Sequence, residues 1–320
     1  MTETTSKLLD IIESGKNILV CGHMRPDGDC IGAALAMRRI CEKLGKFADA
    51  ACDADKPEAF SFLPDYGRFC RTGKKRYDVF ISVDCANEKR LGAYASAIDA
   101  AAHVVDIDHH PFNPEFGDIN VVDESASSTC LIVYELFKDT ELIDRETAEM
   151  LYTGISTDTG HFMHSNTDAR TFSAAVGLTA LGIDIGRINH DLYCSKPRRK
   201  IMLTARALDG MEFYAGGAIA VIELSLGDLR ACGCTSEDTE GLIDHAKSVS
   251  GVRIAVSLCE QDGGTVRVSL RSTGADVSEV AGRFGGGGHK LASGCMISGT
   301  LAEVKEKIVA ASTDALSADK

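Results

Sequence analysis

Three short runs in this chain each end in residues that bind cations. His103-Val-Val-Asp-Ile107 runs into Asp108-His109-His110, and Pro111 stops it. Asn17-Ile-Leu-Val-Cys-Gly22 leads to His23, Asp27 and Asp29, and Asp78-Val-Phe-Ile-Ser-Val83 leads to Asp84. The runs are too short for helices, and Val104, Val105 and Ile107 are β-branched, so they read as buried strands. An acid and two imidazoles at the rim of a core are costly unless something binds there. Ligands collect beyond the carboxyl ends of parallel strands. Three such ends point to one shared metal site.

The chemistry of these groups narrows the ion. Asp27 and Asp29 cannot sit close together as unpaired anions without large pKa shifts, and a divalent cation removes that penalty. Taken alone, Pro26-Asp27-Gly28 reads equally well as a solvated turn, and Asp84 or Asp158 as a helix cap. Adjacent imidazoles point in different directions. One of His109 and His110 can face a metal while the other touches substrate, with Asp108 orienting a ring from behind. All the donors are oxygen or nitrogen, which favours Mn²⁺ or Mg²⁺ over a structural zinc. Six such groups exceed the needs of one ion. Two ions roughly 3.5–4 Å apart, bridged by a carboxylate and a water, would use them all. Such a water is acidified and suits in-line attack on phosphorus. Further on, Gly285 to Gly288 followed by His289 offers either a phosphate nest, a base-facing surface or a plain flexible loop. Arg271-Ser272, at the end of an expected strand, could grip phosphate in a bidentate manner or stay solvated.

The elements that must carry these residues alternate. Leu8, Leu9, Ile11 and Ile12 predict a helix over 5–15, and the spacing from Ile31 to Leu44 predicts one over 30–44 with Gly45 as C-cap. Gly28 and Gly32 would let the backbone approach whatever His23 and Asp27 hold. A weak strand over 47–52, a helix over 91–101 and a strand over 119–122 follow. Ser127-Ser128-Thr129, Asp144 and Thr167 are expected to cap three more helices, the second running toward Asp158. This alternation argues for a parallel sheet with helices on both faces. Two amphipathic helices broken by Ser195-Lys196-Pro197 change the texture over 183–210. Beyond them strands dominate, at 211–214, 218–224, 252–259 and 265–270, with Asp262-Gly263-Gly264 joining the last two. Helices are expected over 236–248, 277–284 and 301–311. The expected fold is α/β: a metal-binding domain over 1–190, a helical linker over 191–209, and a smaller α+β domain over 210–320 across a cleft.

Composition limits the partners. A net charge of −13 over 320 residues leaves no basic stripe for a long or duplex nucleic acid. A small anion in a local pocket is still compatible. The start of the chain lacks a charged-then-apolar signal pattern, and no apolar run approaches the ~20 residues of a membrane span. The twelve cysteines show no CxxC pair, their closest spacing being Cys232-x-Cys234. They read as reduced thiols in a cytoplasmic protein.

The motifs together resemble those of the DHH phosphoesterases. His23-Met-Arg-Pro-Asp27-Gly-Asp29, Asp84-Cys-Ala-Asn87 and Asp108-His109-His110 resemble the first three motifs of that family. Thr153-Gly-Ile-Ser-Thr-Asp158-Thr-Gly-His-Phe162 resembles the fourth. Arg271-Ser-Thr-Gly274 and Gly285-Gly-Gly-Gly-His289 resemble the associated C-terminal domain, and the compact length resembles the NrnA-type subfamily. That resemblance implies two Mn²⁺ ions, with Mg²⁺ or Co²⁺ as alternatives. His23 and Asp27 would hold one ion; Asp29, His109 and Asp158 would hold the other; Asp84 would bridge both. His110 would contact the scissile phosphate with Asp108 in support. Arg271, Ser272, Gly286, Gly287, Gly288 and His289 would grip a nucleotide. The implied activity is hydrolysis of short oligoribonucleotides, and of 3'-phosphoadenosine 5'-phosphate; the sequence does not fix the oligomeric state, a homodimer being common for such folds. Rival readings are a linear or cyclic dinucleotide phosphodiesterase, a RecJ-like exonuclease, an inorganic pyrophosphatase and a catalytically silent nucleotide sensor. Ala33 and Cys85 depart from the family pattern, where Ser and Thr are common. Cys21, Cys30 and Cys85 sit near the site and are read as core residues.

Overall fold

The computed structural model describes residues 3–69 and 76–318. The chain forms two compact units, Met1–Ser195 and Lys196–Lys320. In chain order the first contains α1 (Glu3–Ser14), β1 (Asn17–Cys21), α2 (Gly28–Lys43), β2 (Phe47–Ala51) and β3 (Val79–Val83). It continues with α3 (Ala95–Ile98), β4 (His103–Asp108), β5 (Ile119–Val122), α4 (Thr129–Phe137), α5 (Arg145–Asp158), α6 (Ala169–Ala180) and α7 (Ile185–Asn189).

The five strands form an all-parallel sheet in the order β2-β1-β3-β4-β5. Its central strands are apolar on both sides because both faces are covered. Ile18, Val20, Val79, Ile81, Val83, Val105 and Ile107 pack with the helical layer of α1, α2, α4 and α5. Leu19, Cys21, Phe80 and Val104 point the other way, onto Leu91 and α3. The expected α/β sheet with helices on both faces is therefore present, though the second face has little helix. The helix expected over 91–101 is instead a tight turn over Glu88–Tyr94 followed by the single turn of α3. Gly92 interrupts it at φ 60, where a Cβ would lie 2.4 Å from the Asp53 carboxylate. The cap of α6 is Asp168, not Thr167: its side chain accepts from Thr171 N at 2.9 Å. Ser128 and Asp144 cap α4 and α5 as expected.

The second unit contains α8 (Arg198–Asp209), β6 (Glu212–Tyr214), β7 (Ile219–Leu224), α9 (Leu226–Cys232), α10 (Leu242–Lys247) and β8 (Ile254–Gln261). Then come β9 (Thr265–Ser272), α11 (Val277–Gly282), β10 (Gly287–His289), β11 (Ala292–Ser298) and α12 (Leu301–Ala318). Its mixed sheet has the order β10-β11-β9-β8-β7-β6, antiparallel except for the β7–β8 pair. One face packs against α11 and α12 through Val256, Val268 and Leu270. The other buries Ala220 and Ile222 with Leu203 and Ala207 of α8, so that helix belongs to this core. The helix expected over 236–248 is broken at Gly241, whose φ of 82 admits no helical continuation. The glycine run is more than a flexible loop: Gly287 to His289 pair with Ala292 to Gly294 as an edge strand.

Candidate metal centre

The sheet order reverses between β1 and β3: the chain leaves β1 for β2 on one side and fills β3, β4 and β5 on the other. A crevice forms at such a reversal, beyond the carboxyl ends of the strands. His23 follows β1 there, Asp84 follows β3, and His109 and His110 follow β4. Two helices bring the remaining acids. Asp27 is the N-cap of α2, accepting from Cys30 N at 3.1 Å, and Asp29 lies in its first turn. Asp158 ends α5.

Glycines make that convergence possible. A Cβ on Gly32 would lie 2.5 Å from the Met150 carbonyl, and one on Gly154 would lie 2.7 Å from Asp29 Oδ1. A Cβ on Gly28 would meet Thr157 at 2.4 Å. Gly28 and Gly32 therefore admit helix α5, rather than a ligand, close to α2. This crossing sets Asp29 beside Asp158.

Asp84 is the hub. It is buried and left-handed, with φ 55, and its Oδ2 lies 3.4 Å from His23 Nε2. Its Oδ1 lies 3.5 Å from His109 Nε2 and accepts from Thr129 Oγ1 at 3.4 Å. His23 Nε2 is also 3.9 Å from Asp27 Oδ2. His109 Nε2 is 3.2 Å from Asp158 Oδ2 and 4.0 Å from Asp29 Oδ2. All six expected ligands thus lie in one chain of contacts through Asp84 and His109. The Ala126 carbonyl, 3.3 Å from His109 Nδ1, can only accept, so Nδ1 carries a proton, and Nε2 would ligate a cation on losing its own. Asp29 is also tied to α4, accepting from Thr129 N at 2.6 Å and Cys130 N at 2.9 Å.

Charge crowding fits this donor set to divalent cations. Burial, with Asp84 nearby, pushes the Asp29 carboxyl up to about 7. Burial with Asp29 and Asp84 pushes Asp158 up to about 9. For Asp84 burial is opposed and outweighed by hydrogen bonds from His109 and His23, which hold it well below the carboxylate range. Burial would lower His109, but Asp84, Asp29 and Asp158 raise it to about 10. Protons are thus retained where positive charge is wanted, and a metal ion would take their place. The described residues also set Cys30 beside His23 and Asp84. Burial, then Asp84, raises its thiol far above neutrality, so it is a poor ligand there.

Asp108 is fully buried and orients His110, its Oδ1 lying 2.8 Å from Nδ1. The Asp108 hydrogen bond raises the pKa of that imidazole. Two partners were not singled out from the sequence. Asn113 Nδ2 donates to Asp108 Oδ2 at 2.7 Å, and Arg90 Nη1 faces His110 Nε2 at 3.4 Å. Their sequence signal is slight: an amide five residues after Asp108, and a cation six after Asp84.

In the second unit, Arg271 and Ser272 leave β9 on opposite faces. Arg271 lines a cavity of about 310 Å³ with Arg267, Ser269 and Ser257. Ser272 is buried, and its Oγ accepts from Gly274 N at 2.9 Å. Gly286 and Gly288 lie so close to β11 that a Cβ would meet the Gly294 carbonyl at 2.2 Å and the Ala292 carbonyl at 2.6 Å. Gly287 and His289 are exposed.

Fold and site together define a phosphoester hydrolase with a parallel-sheet domain and a mixed-sheet domain. Residues 17–155 match the DHH family, N-terminal domain, and residues 219–318 match the DHHA1 domain; the chain belongs to the DHH family. It is 31% identical over 302 residues to the bifunctional oligoribonuclease and PAP phosphatase NrnA of Thermus thermophilus, covering 92% of this chain and 88% of the relative. It is 28% identical to the protein of that name from Bacillus subtilis, covering 91% and 93%. The structure of an exopolyphosphatase-related protein from Bacteroides fragilis has the same fold, with a TM-score of 0.88 over 97% of both chains at 24% identity.

Proposed function

We propose that this chain is a Mn²⁺-dependent phosphoesterase that hydrolyses short oligoribonucleotides to mononucleotides and removes the 3'-phosphate of 3'-phosphoadenosine 5'-phosphate. The observation that carries this reading is the position of Asp84, within 3.5 Å of both His23 and His109. In this reading His23 and Asp27 would hold one ion, Asp29, His109 and Asp158 would hold the second, and Asp84 would serve both. Two divalent ions there supply charge neutralisation of the phosphate and activation of the attacking water. His110, kept protonated by Asp108, offers Nε2–H to the departing oxygen, and Arg90 adds positive charge beside it. Arg271 and His289, which both lie in register with Ala292, would grip the nucleotide with the backbone of Gly286, Gly287 and Gly288, while Ser272, buried on the opposite face, would hold the turn at Gly274. The close backbone approach at Gly286 and Gly288 supports a built surface there. Cys21, Cys30, Cys41, Cys85 and Cys130 are free thiols, which supports a cytoplasmic location.

The test is a set of rates in Mn²⁺, Mg²⁺ and Co²⁺ on a diribonucleotide, a cyclic dinucleotide, 3'-phosphoadenosine 5'-phosphate and a 20-mer. Fastest turnover of the diribonucleotide in Mn²⁺ is expected. A dominant cyclic dinucleotide or 20-mer activity replaces the substrate assignment. Full turnover by Asp84→Ala refutes the metal assignment.

A further inference from the structure

The loop after Pro111 places an aromatic ring in solvent at a conformational cost. Phe112 is 94% exposed and has φ 64. A bulky L-residue rarely adopts this left-handed region, and strain of this kind collects at ligand clamps. Nothing apolar is gained within the fold by placing the ring there. The loop is nevertheless held firmly. Phe112 N donates to Glu124 Oε1 at 3.2 Å, and Asn113 on its other side donates to Asp108 Oδ2 at 2.7 Å. Glu115, also left-handed at φ 55, donates its N–H to Asn113 Oδ1 at 2.7 Å. The carboxylate that orients His110 therefore also anchors the pedestal of Phe112.

We infer that Phe112 is a stacking platform for a nucleobase of the substrate, a specificity-determining residue beside the reacting phosphate. Two peptide units separate it from His110, so the two Cα atoms lie within about 7.6 Å of each other. A nucleobase stands one sugar away from its phosphate, a comparable reach. Aromatic stacking tolerates any base, because every base presents a π-face. It would select nucleotides over other phosphoesters without selecting a base sequence. Fixing the backbone that carries the ring lowers the ordering cost of binding. The chain has no tryptophan and few aromatic residues, so a phenylalanine held in water is not compositional excess.

This inference rests on the nucleotide reading of the site, and the experiment separates the two. Wild type, Phe112→Ala and Phe112→Tyr are compared in Mn²⁺ on a diribonucleotide and on its abasic counterpart with the same sugar–phosphate backbone. Phe112→Ala is expected to raise KM for the diribonucleotide roughly 5- to 100-fold. Its kcat should change less than twofold, Phe112→Tyr should restore KM, and the abasic compound should not distinguish the three proteins. Phe112→Trp supplies the chain's sole indole, whose emission should be quenched by AMP and not by ribose 5-phosphate. An active wild type with an unchanged KM in Phe112→Ala overturns the inference alone. An equal loss on the abasic compound, or an indole blind to AMP, also overturns it. A wild type inactive on both compounds removes the nucleotide reading and the inference with it.

Discussion

Asp84 is the residue through which every other charge at the centre is felt. Its oxygens are divided between His23 and His109, so truncation would leave two imidazoles and three acids without their common partner. Asp84→Ala is expected to lose more activity than the ~10–100-fold that removal of an outer contact causes. It should also abolish the rise in melting temperature that Mn²⁺ gives the wild type. Asn113→Ala, which removes the support behind Asp108 together with the Glu115 contact that holds the Phe112 loop, is expected to fall within that 10–100-fold range while keeping the Mn²⁺-induced rise. Asp106 tests a different matter. It is fully buried in β4 with both carboxylate oxygens unpartnered, among Asp108, Asn113, Ser82 and Glu115. Burial, with Asp108 nearby, pushes it up to about 7. An acid whose folded pKa exceeds its unfolded value of about 3.9 is held neutral in the fold while the unfolded chain ionises. Stability is then lost as pH rises from near 4 to near 7, and the loss stays constant above that. Asp106→Asn should remove this dependence. Its melting temperature should exceed that of the wild type by a few degrees at pH 8, and the difference should shrink toward pH 4. An unchanged difference across that range would contradict the assignment.

At the scale of elements, the crossing of α2 and α5 decides whether the ligands meet. A Cβ on Gly154 would sit 2.2 Å from Cys130 Sγ and 2.7 Å from Asp29 Oδ1. Gly154→Ala is expected to cost about 1–3 kcal/mol as an overpacked contact and to weaken Mn²⁺ binding, read by titration of the folded protein. Gly67→Ala meets nothing within 4 Å and serves as the neutral control. Equal behaviour of the two variants would mean that the crossing is not what sets the site. The caps at Ser128 and Asp144 were legible in the sequence because a short polar side chain before an apolar helix has a local meaning. The break at Gly92 was not, because it depends on Asp53, 39 residues earlier in the chain, whose Oδ2 accepts from Ala93 N at 2.8 Å. Edge strand β10 was hidden for the same reason: its glycines pair only because β11 is beside them.

At the scale of the whole molecule, a net charge of −13 argues against a long strand as substrate. Binding of a long strand gains from release of counterions along a basic track, and its affinity falls steeply with salt. A dinucleotide held by cations and a few local groups has fewer such contacts. Turnover of the diribonucleotide is therefore expected to exceed that of a 20-mer, with KM changing less than about tenfold between 50 and 200 mM salt. A steep salt slope with a preference for the 20-mer would show that a basic track exists after all.

What the amino-acid order determined by itself was local in origin. Each donor could be read at a strand or helix end: His23, Asp84, His109 and His110 after apolar runs, and Asp27, Asp29 and Asp158 within two residues of a helix boundary. Strand propensity and capping act over a few residues, so such signals survive in sequence alone. Only the tertiary structure decided that these ends share one crevice, that Asp84 stands between two histidines, and that Asn113 and Arg90 flank His110. Those relations are distances between residues far apart in the chain. They are set by strand order and by the closeness of two helices, and carboxylates this crowded are tolerable only where opposite charge is packed among them.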